Sequence, residues 1–174
     1  TIVAAQTLRL VEDGKLAQDA LAYADPRPEP EFFDANGATI PQVLPTRSGI
    51  PTIKGDQYYL AELAPTVEDV FRMLSEPVAP PDSRTEYAGP NYVLLGSIIE
   101  HVTGRPLAEV LCSGVLANAA LDGLVYTADG AFASDGWGVE TTSAALARWG
   151  YELYGGFALS ESSLREMTSF EGQW

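Results

Sequence analysis

The sequence predicts a mainly α, single-domain protein, and three observations lead there. Apolar residues recur at helical spacing in segments that glycine and proline cut apart. Strand-like runs are scarce, the best being Gly123-Leu124-Val125-Tyr126-Thr127. The composition, 46% hydrophobic and 20% charged over 174 residues, is that of a chain long enough to bury one core, with no internal repeat, low-complexity tract or domain boundary.

The elements follow from the breakers. Ile2, Val3, Ala4, Leu8 and Val11 share helical spacing over residues 2–13, and Gly14 closes that helix. Residues 24–58 carry Pro26, Pro28, Pro30, Pro41, Pro45 and Pro51, which predicts a long irregular arm with at most short helical turns. Thr66-Val67-Glu68-Asp69 reads as a capping-box-like start for a helix with the stripe Val67, Val70, Phe71 and Leu74, stopped by Pro77, Pro80 and Pro81. A helix from about Asn91 to Thr103 offers Tyr92, Leu95, Ile98, Ile99 and Val102 to a core, and Gly104 ends it. Pro106 suits the first turn of the next helix, to about Leu116. Thr142 can cap a helix through Tyr154, and Ser160 another to about Ser169.

Charge and rare residues exclude several functions. A net charge of −14 leaves no basic face to neutralise nucleic-acid phosphates or anionic lipid, so neither nucleic acid nor a membrane surface is an expected partner. No apolar run approaches the ~20 residues of a membrane span. The acidity reads as solubility. Cys112, the single cysteine, has no basic neighbour to activate it and reads as a small buried hydrophobe. His101, the single histidine, reads as an exposed residue favourable to a helix C-terminus. One histidine and one cysteine cannot build a His-rich metal site, so no metal or other cofactor is expected. Pairs such as Glu12/Asp13 and Glu68/Asp69 arise readily among 24 acidic residues, and neighbours on a helix do not face one another as a glycosidase pair must.

Five segments, ordered along the chain as in the family, point to one family. Tyr87-Ala88-Gly89, followed by Pro90-Asn91-Tyr92-Val93-Leu94-Leu95-Gly96, resembles the tyrosine motif of the serine β-lactamase and penicillin-binding-protein-like hydrolases, in which Tyr-x-Asn heads a helix with a Leu-Leu-Gly run. Thr39 to Pro51 is similar to the family's T-I-R-Q-L-L-T-H-T-S-G-L-P segment, with Thr46 where histidine is usual. Leu95 to Leu107 follows L-G-x-I-I-E-x-V-T-G-x-P-L, and Thr142 to Trp149 resembles S-T-A-x-D-L-A-R-W. Thr1 to Leu16 looks like the helix that follows the nucleophile, ending in V-E-x-G-K-L. The resemblance spans nearly all of the chain but only the middle of a family member. It implies the helical region of the β-lactamase/penicillin-binding-protein-like fold, lacking most of the family's antiparallel sheet, in a fragment-like chain. It also implies a bacterial periplasmic or secreted setting.

The resemblance implies acyl-serine hydrolysis of a small amide or ester, as in β-lactamases, D-amino-acid peptidases and related esterases. A serine hydroxyl attacks a carbonyl only when a base takes its proton. The family sets a lysine one turn from the serine and a tyrosine oxygen near both, and the phenol relays the proton once nearby cations lower its pKa from about 10. Tyr87 matches that catalytic position. Gly89 stands where the substrate-contacting asparagine is usual, and Asn91 could supply an amide to substrate from a shifted loop. Ser-x-x-Lys and Lys/His-Thr-Gly occur nowhere in the sequence, so the chain alone is expected to be inactive.

Other readings stand beside this one. The chain has 8 tyrosines, most of which should be core or rim residues, and Tyr87 could be one of them. The chain could be a non-catalytic helical domain that binds a partner or self-associates. It could use His101 with a serine, or Thr1 as an N-terminal nucleophile, although such enzymes place that threonine on a strand. Finally, the apolar crowding of the first helix predicts a homodimer that buries a face left bare by the absent sheet.

Overall fold

The computed structural model describes residues 1–17, 19, 36–53, 55, 67–117, 125–126 and 139–169. Its helices are α1 (Ile2–Glu12), α2 (Ile40–Val43), α3 (Val67–Arg72), α4 (Gly89–Thr103), α5 (Leu107–Ser113), α6 (Ser143–Tyr154) and α7 (Glu161–Met167), with two short strands, β1 (Val125–Tyr126) and β2 (Val139–Glu140), before α6. The strands pair antiparallel, Val125 opposite Glu140 and Tyr126 opposite Val139. The mainly helical expectation therefore holds.

Helix α4 is the hub. It packs against α1, α2, α3 and α5, and α1 in turn touches α5 and α7. Residues Pro90 to Gly96 and Ile99 of α4 are buried, so the Leu94-Leu95 run lies wholly inside. Burying each such leucine contributes about 1.5–3 kcal/mol of transfer free energy. α4 starts two residues earlier than the sequence indicated, because Pro90 has the fixed φ that suits a first turn. It ends at Gly104, whose φ of 64° lets its N–H return to the Glu100 carbonyl at 2.8 Å. Glu100 then spends its carboxylate on the α5 head, accepting from the Leu107 N–H at 2.8 Å.

Helix α1 is buried on nearly every side: Val3, Ala4, Ala5, Gln6, Thr7, Leu8 and Leu10 are all inside. The apolar crowding that predicted an exposed face is thus covered by α4, α5 and α7 of the same chain. The large apolar side chains that do face solvent, among the described residues, are Tyr87, Leu146, Tyr151, Tyr154 and Phe157. Polar residues enter α1 because each has a partner. The Thr7 hydroxyl bonds the Val3 carbonyl at 2.9 Å, and the Gln6 carbonyl accepts from the Val115 N–H at 3.1 Å.

Other expectations need correction. α3 stops at Arg72, well short of Pro77, because Leu74 leaves the helical stripe to bridge Ile53 and the Ser75 N–H turns to the Thr52 carbonyl. α5 ends at Ser113 rather than near Leu116, closed by Gly114. Cys112 is exposed, not buried. The buried face of α5 is Leu107, Val110 and Leu111, and the next residue is turned about 100° away from Leu111. Thr66, Gly123, Leu124, Thr127 and residues 24–35, 54 and 56–58 of the proline-rich arm lie outside the described residues; the described part of that arm holds one short helix, α2.

The segment after α2 turns sharply, and one glycine controls how closely it lies to its neighbour. Gly49 has φ +82°, and a Cβ added there would stand 2.1 Å from the Ala79 carbonyl oxygen. The backbone pair is closed by the Ala79 N–H donating to the Gly49 carbonyl at 3.0 Å. Gly37 shares the conformation, φ +78°, but a Cβ there would meet nothing within 4 Å.

At the other end of the molecule, Glu12 ties α1 to α7. The Ser160 N–H donates to its carboxylate at 2.8 Å. Burial works against the charge, yet the hydrogen bonds from Ser160 and Ser163 together with Arg9 outweigh it and hold the carboxyl below its ordinary value. Ser160 also caps α7, its hydroxyl accepting from the Ser163 N–H.

Two outcomes are expected. Gly49→Ala should destabilise the chain by about 2–5 kcal/mol, from a left-handed alanine plus a backbone clash, and Gly37→Ala by only about 1–2 kcal/mol; equal midpoints in urea would show that the close approach to Ala79 is absent. The Glu12 carboxyl is depressed in the folded state, so its stabilisation is present above the ordinary carboxylate pKa and fades as pH falls through the lower folded value. Between pH 7 and 3 the wild type should therefore lose more stability than Glu12→Gln; parallel curves would remove the assignment.

Candidate functional site at the head of helix α4

Tyr87 is the second residue before α4 and is 54% exposed. Its backbone is fixed by what flanks it. Ala88, the N-cap, is wholly buried in an extended conformation, φ −140°, and Gly89 opens the helix. One residue before Tyr87, the Glu86 N–H donates to the Thr46 carbonyl at 3.2 Å. The phenol thus projects from a short extended stretch pinned at both ends.

Asn91 supplies the second pin, and not in the way the sequence indicated. Its side chain is completely buried. The Nδ2 donates to the Ala88 carbonyl at 3.0 Å, and the Oδ1 accepts from the Ser48 hydroxyl at 2.5 Å. Ser48 Oγ in turn accepts from the Ile50 N–H at 3.1 Å. A carboxamide with both ends engaged inside the protein is a tie between two segments. The residue was visible in the sequence; its partner Ser48 was visible only as part of the Thr39–Pro51 segment, with no sign that the two would meet.

Thr46, which stands where the family has histidine, is also strained. Its φ is 57°, a left-handed value uncommon for a β-branched residue. Its hydroxyl is buried and has no hydrogen-bond partner among the described residues. Such outliers persist only where surroundings over-determine them, and they cluster at functional sites. Here the surroundings are visible: the Thr46 N–H bonds the Val43 carbonyl at 3.0 Å while its carbonyl holds Glu86.

A polar rim braces this platform. Arg47 pairs with Asp82 at 2.6 Å, and Gln42 Nε2 donates to the other oxygen of Asp82, also at 2.6 Å. The Gln42 hydrogen bond, with Arg47 adding to it, holds the Asp82 carboxyl below its usual range. Arg84 pairs with Glu76 at 2.6 Å and Glu86 at 3.4 Å. Segments 42–50 and 79–87 are therefore clamped side by side, and Tyr87 stands where they meet the head of α4. Gly89 sits at the same place as a half-buried backbone position with no side chain to offer. The lone His101 is exposed in the last turn of α4, at the opposite end of a 15-residue helix, roughly 20 Å from the Tyr87 end.

Comparison with known proteins now bears on this geometry. The family model described as Beta-lactamase matches residues 1–174. A comparison with curated protein sequences finds no match. Among solved structures, a D-stereospecific amidohydrolase from Streptomyces sp. superposes with a TM-score of 0.74 at 20% identity, covering 97% of this chain and 62% of that one. A D-amino acid amidase from Ochrobactrum anthropi SV3 gives a TM-score of 0.75 at 18% identity, covering 94% and 57%. A penicillin-binding protein from Bacillus halodurans gives 0.71 at 21% identity, covering 94% and 59%. This chain thus spans roughly three fifths of the length of these neighbours, and at such identities the likeness establishes the fold. With the whole sequence matched by the family model and the backbone shared with amidase and penicillin-binding-protein structures, the chain belongs to the Beta-lactamase family.

Proposed function

We propose that the chain is the helical part of a serine hydrolase that cleaves small amides or esters through an acyl-serine intermediate, with Tyr87 as its proton-relaying phenol. The observation that carries the reading is the placement of Tyr87: exposed to solvent, yet fixed in backbone by Ala88, Asn91 and the Thr46–Glu86 bond. A relay group must be reachable by substrate and held in one position, and rigid support beneath an exposed side chain gives both.

The roles divide by residue. Tyr87 takes the proton from the nucleophile and returns it to the leaving group. Gly89 offers no side chain where the family has an asparagine. Asn91 and Ser48 act as positioning residues beneath it. The serine and lysine that the relay needs do not occur as Ser-x-x-Lys within these residues, so the 174-residue chain has the relay position without nucleophile or base. A D-stereospecific amidohydrolase and a D-amino acid amidase among the structural neighbours make an amide the first substrate class to test.

The chain by itself should turn over neither nitrocefin nor p-nitrophenyl acetate above a Tyr87→Phe control. In a longer polypeptide that supplies Ser-x-x-Lys ahead of Thr1 and the third motif after Trp174, Tyr87→Phe should lower kcat by about 10²–10⁴-fold. Turnover by the 174-residue chain, or an unchanged kcat in the longer Tyr87→Phe protein, would overturn the reading.

A further inference from the structure

A cleft of about 370 Å³ lies between α1, the C-terminal end of α4 and helix α5. That volume falls in the range of small-molecule sites. It lies at the end of α4 remote from Tyr87, so it is no part of the site above. Its charge is unusual for this molecule. Arg9, Lys15 and Arg105 line it against one carboxylate, Asp13, in a chain with 10 cations and 24 acids.

We propose that this cleft binds a small anion bearing a phosphate or carboxylate group. Each cation has a protein partner beside the cleft. Arg9 donates through Nη1 to the Ala158 carbonyl at 3.0 Å and meets Asp13 at 3.7 Å, and Lys15 meets the other oxygen of Asp13 at 3.4 Å. Arg105 donates to the Ser113 hydroxyl at 3.1 Å and meets Glu109 at 3.6 Å. Each guanidinium has five donors, so these bonds leave several for a ligand. Charge-assisted bonds to a carboxylate or phosphate are what such forks make best.

The second observation is Gln6 at the cleft wall. It is 3% exposed, buried within α1. Its Oε1 is committed to the Val115 N–H at 3.1 Å, which fixes the amide orientation. Its Nε2 donates to no described residue, and the side chain borders the cleft. Gly114 is what admits it: a Cβ there would lie 2.1 Å from Gln6 Oε1. An amide N–H₂ at the cleft wall with no acceptor among the described residues, beside three cations, is a donor set suited to an anionic oxygen. The opposing charges are Asp13, Glu109 and the carbonyl ends of α1 and α4, which reduce the affinity without cancelling the excess of donors.

The test titrates the 174-residue chain with inorganic phosphate and, separately, with succinate, at ionic strength held constant with sodium chloride, following backbone amide resonances. Saturable shifts are expected at Gly114, Val115 and Thr103, and the tighter of the two anions names the ligand chemistry. Lys15→Gln with Arg105→Gln, both at exposed positions, should weaken binding at least tenfold. Gln6→Glu keeps an oxygen for the Val115 N–H while removing the donor and adding a negative charge, and should abolish saturation. Shifts that do not saturate, that chloride reproduces, or that the double variant leaves unchanged would show that the cations serve only Asp13 and the helix ends.

Discussion

The rest of this structure hangs on a buried carboxamide. Asn91, in the first turn of α4, joins the Ile50 N–H and Ser48 hydroxyl on one side to the Ala88 carbonyl on the other. In a low-dielectric interior an unmet polar group costs about 1–3 kcal/mol, so each member of this chain of bonds is obligatory once the others are buried. The tie converts two otherwise independent features, an irregular segment rich in proline and a hydrophobic helix, into one rigid corner. Tyr87 takes its place on that corner, and the strained Thr46 and tightly packed Gly49 are tolerated because the corner is fixed.

Beneath the corner, apolar burial does the remaining work. α4 is surrounded by α1, α2, α3 and α5, so its burial includes residues that a one-sided helix would leave in solvent. α1 is similarly enclosed, and the polar Gln6 and Thr7 are accepted inside because each has a specific acceptor or donor at hand. Exposed aromatic residues gather instead on α6 and just beyond it, where Tyr151 and Phe157 stack at 5.4 Å and Arg148 lies 5.5 Å from the Tyr151 ring.

Much of the helical plan was legible because its punctuation is chemical. Gly104 ends α4 by reaching a left-handed φ, Thr142 caps α6 by accepting from the Ala145 N–H, and Ser160 caps α7. These are local effects, and local effects survive in a sequence. The family motif around Tyr87 was legible for the same reason. What escaped depends on contacts distant along the chain. Cys112 is exposed because α5 turns a different face to α1 and α4 than its apolar run alone implies. Leu74 leaves its helix because Ile53 offers a bridge. Asn91 could be read as a substrate ligand because nothing in its neighbours announces Ser48, 43 residues earlier.

Native-state hydrogen exchange on Ser48→Ala tests the central tie most directly. The variant removes the hydroxyl that the Ile50 N–H donates to and that Asn91 accepts from. The account requires protection to fall at Ile50 and at Glu86, the amide bonded to Thr46, while the amides of α4 from Leu94 to Ile99 keep theirs. Unchanged exchange at Ile50 and Glu86, or an equal loss of protection across all of α4, would contradict it.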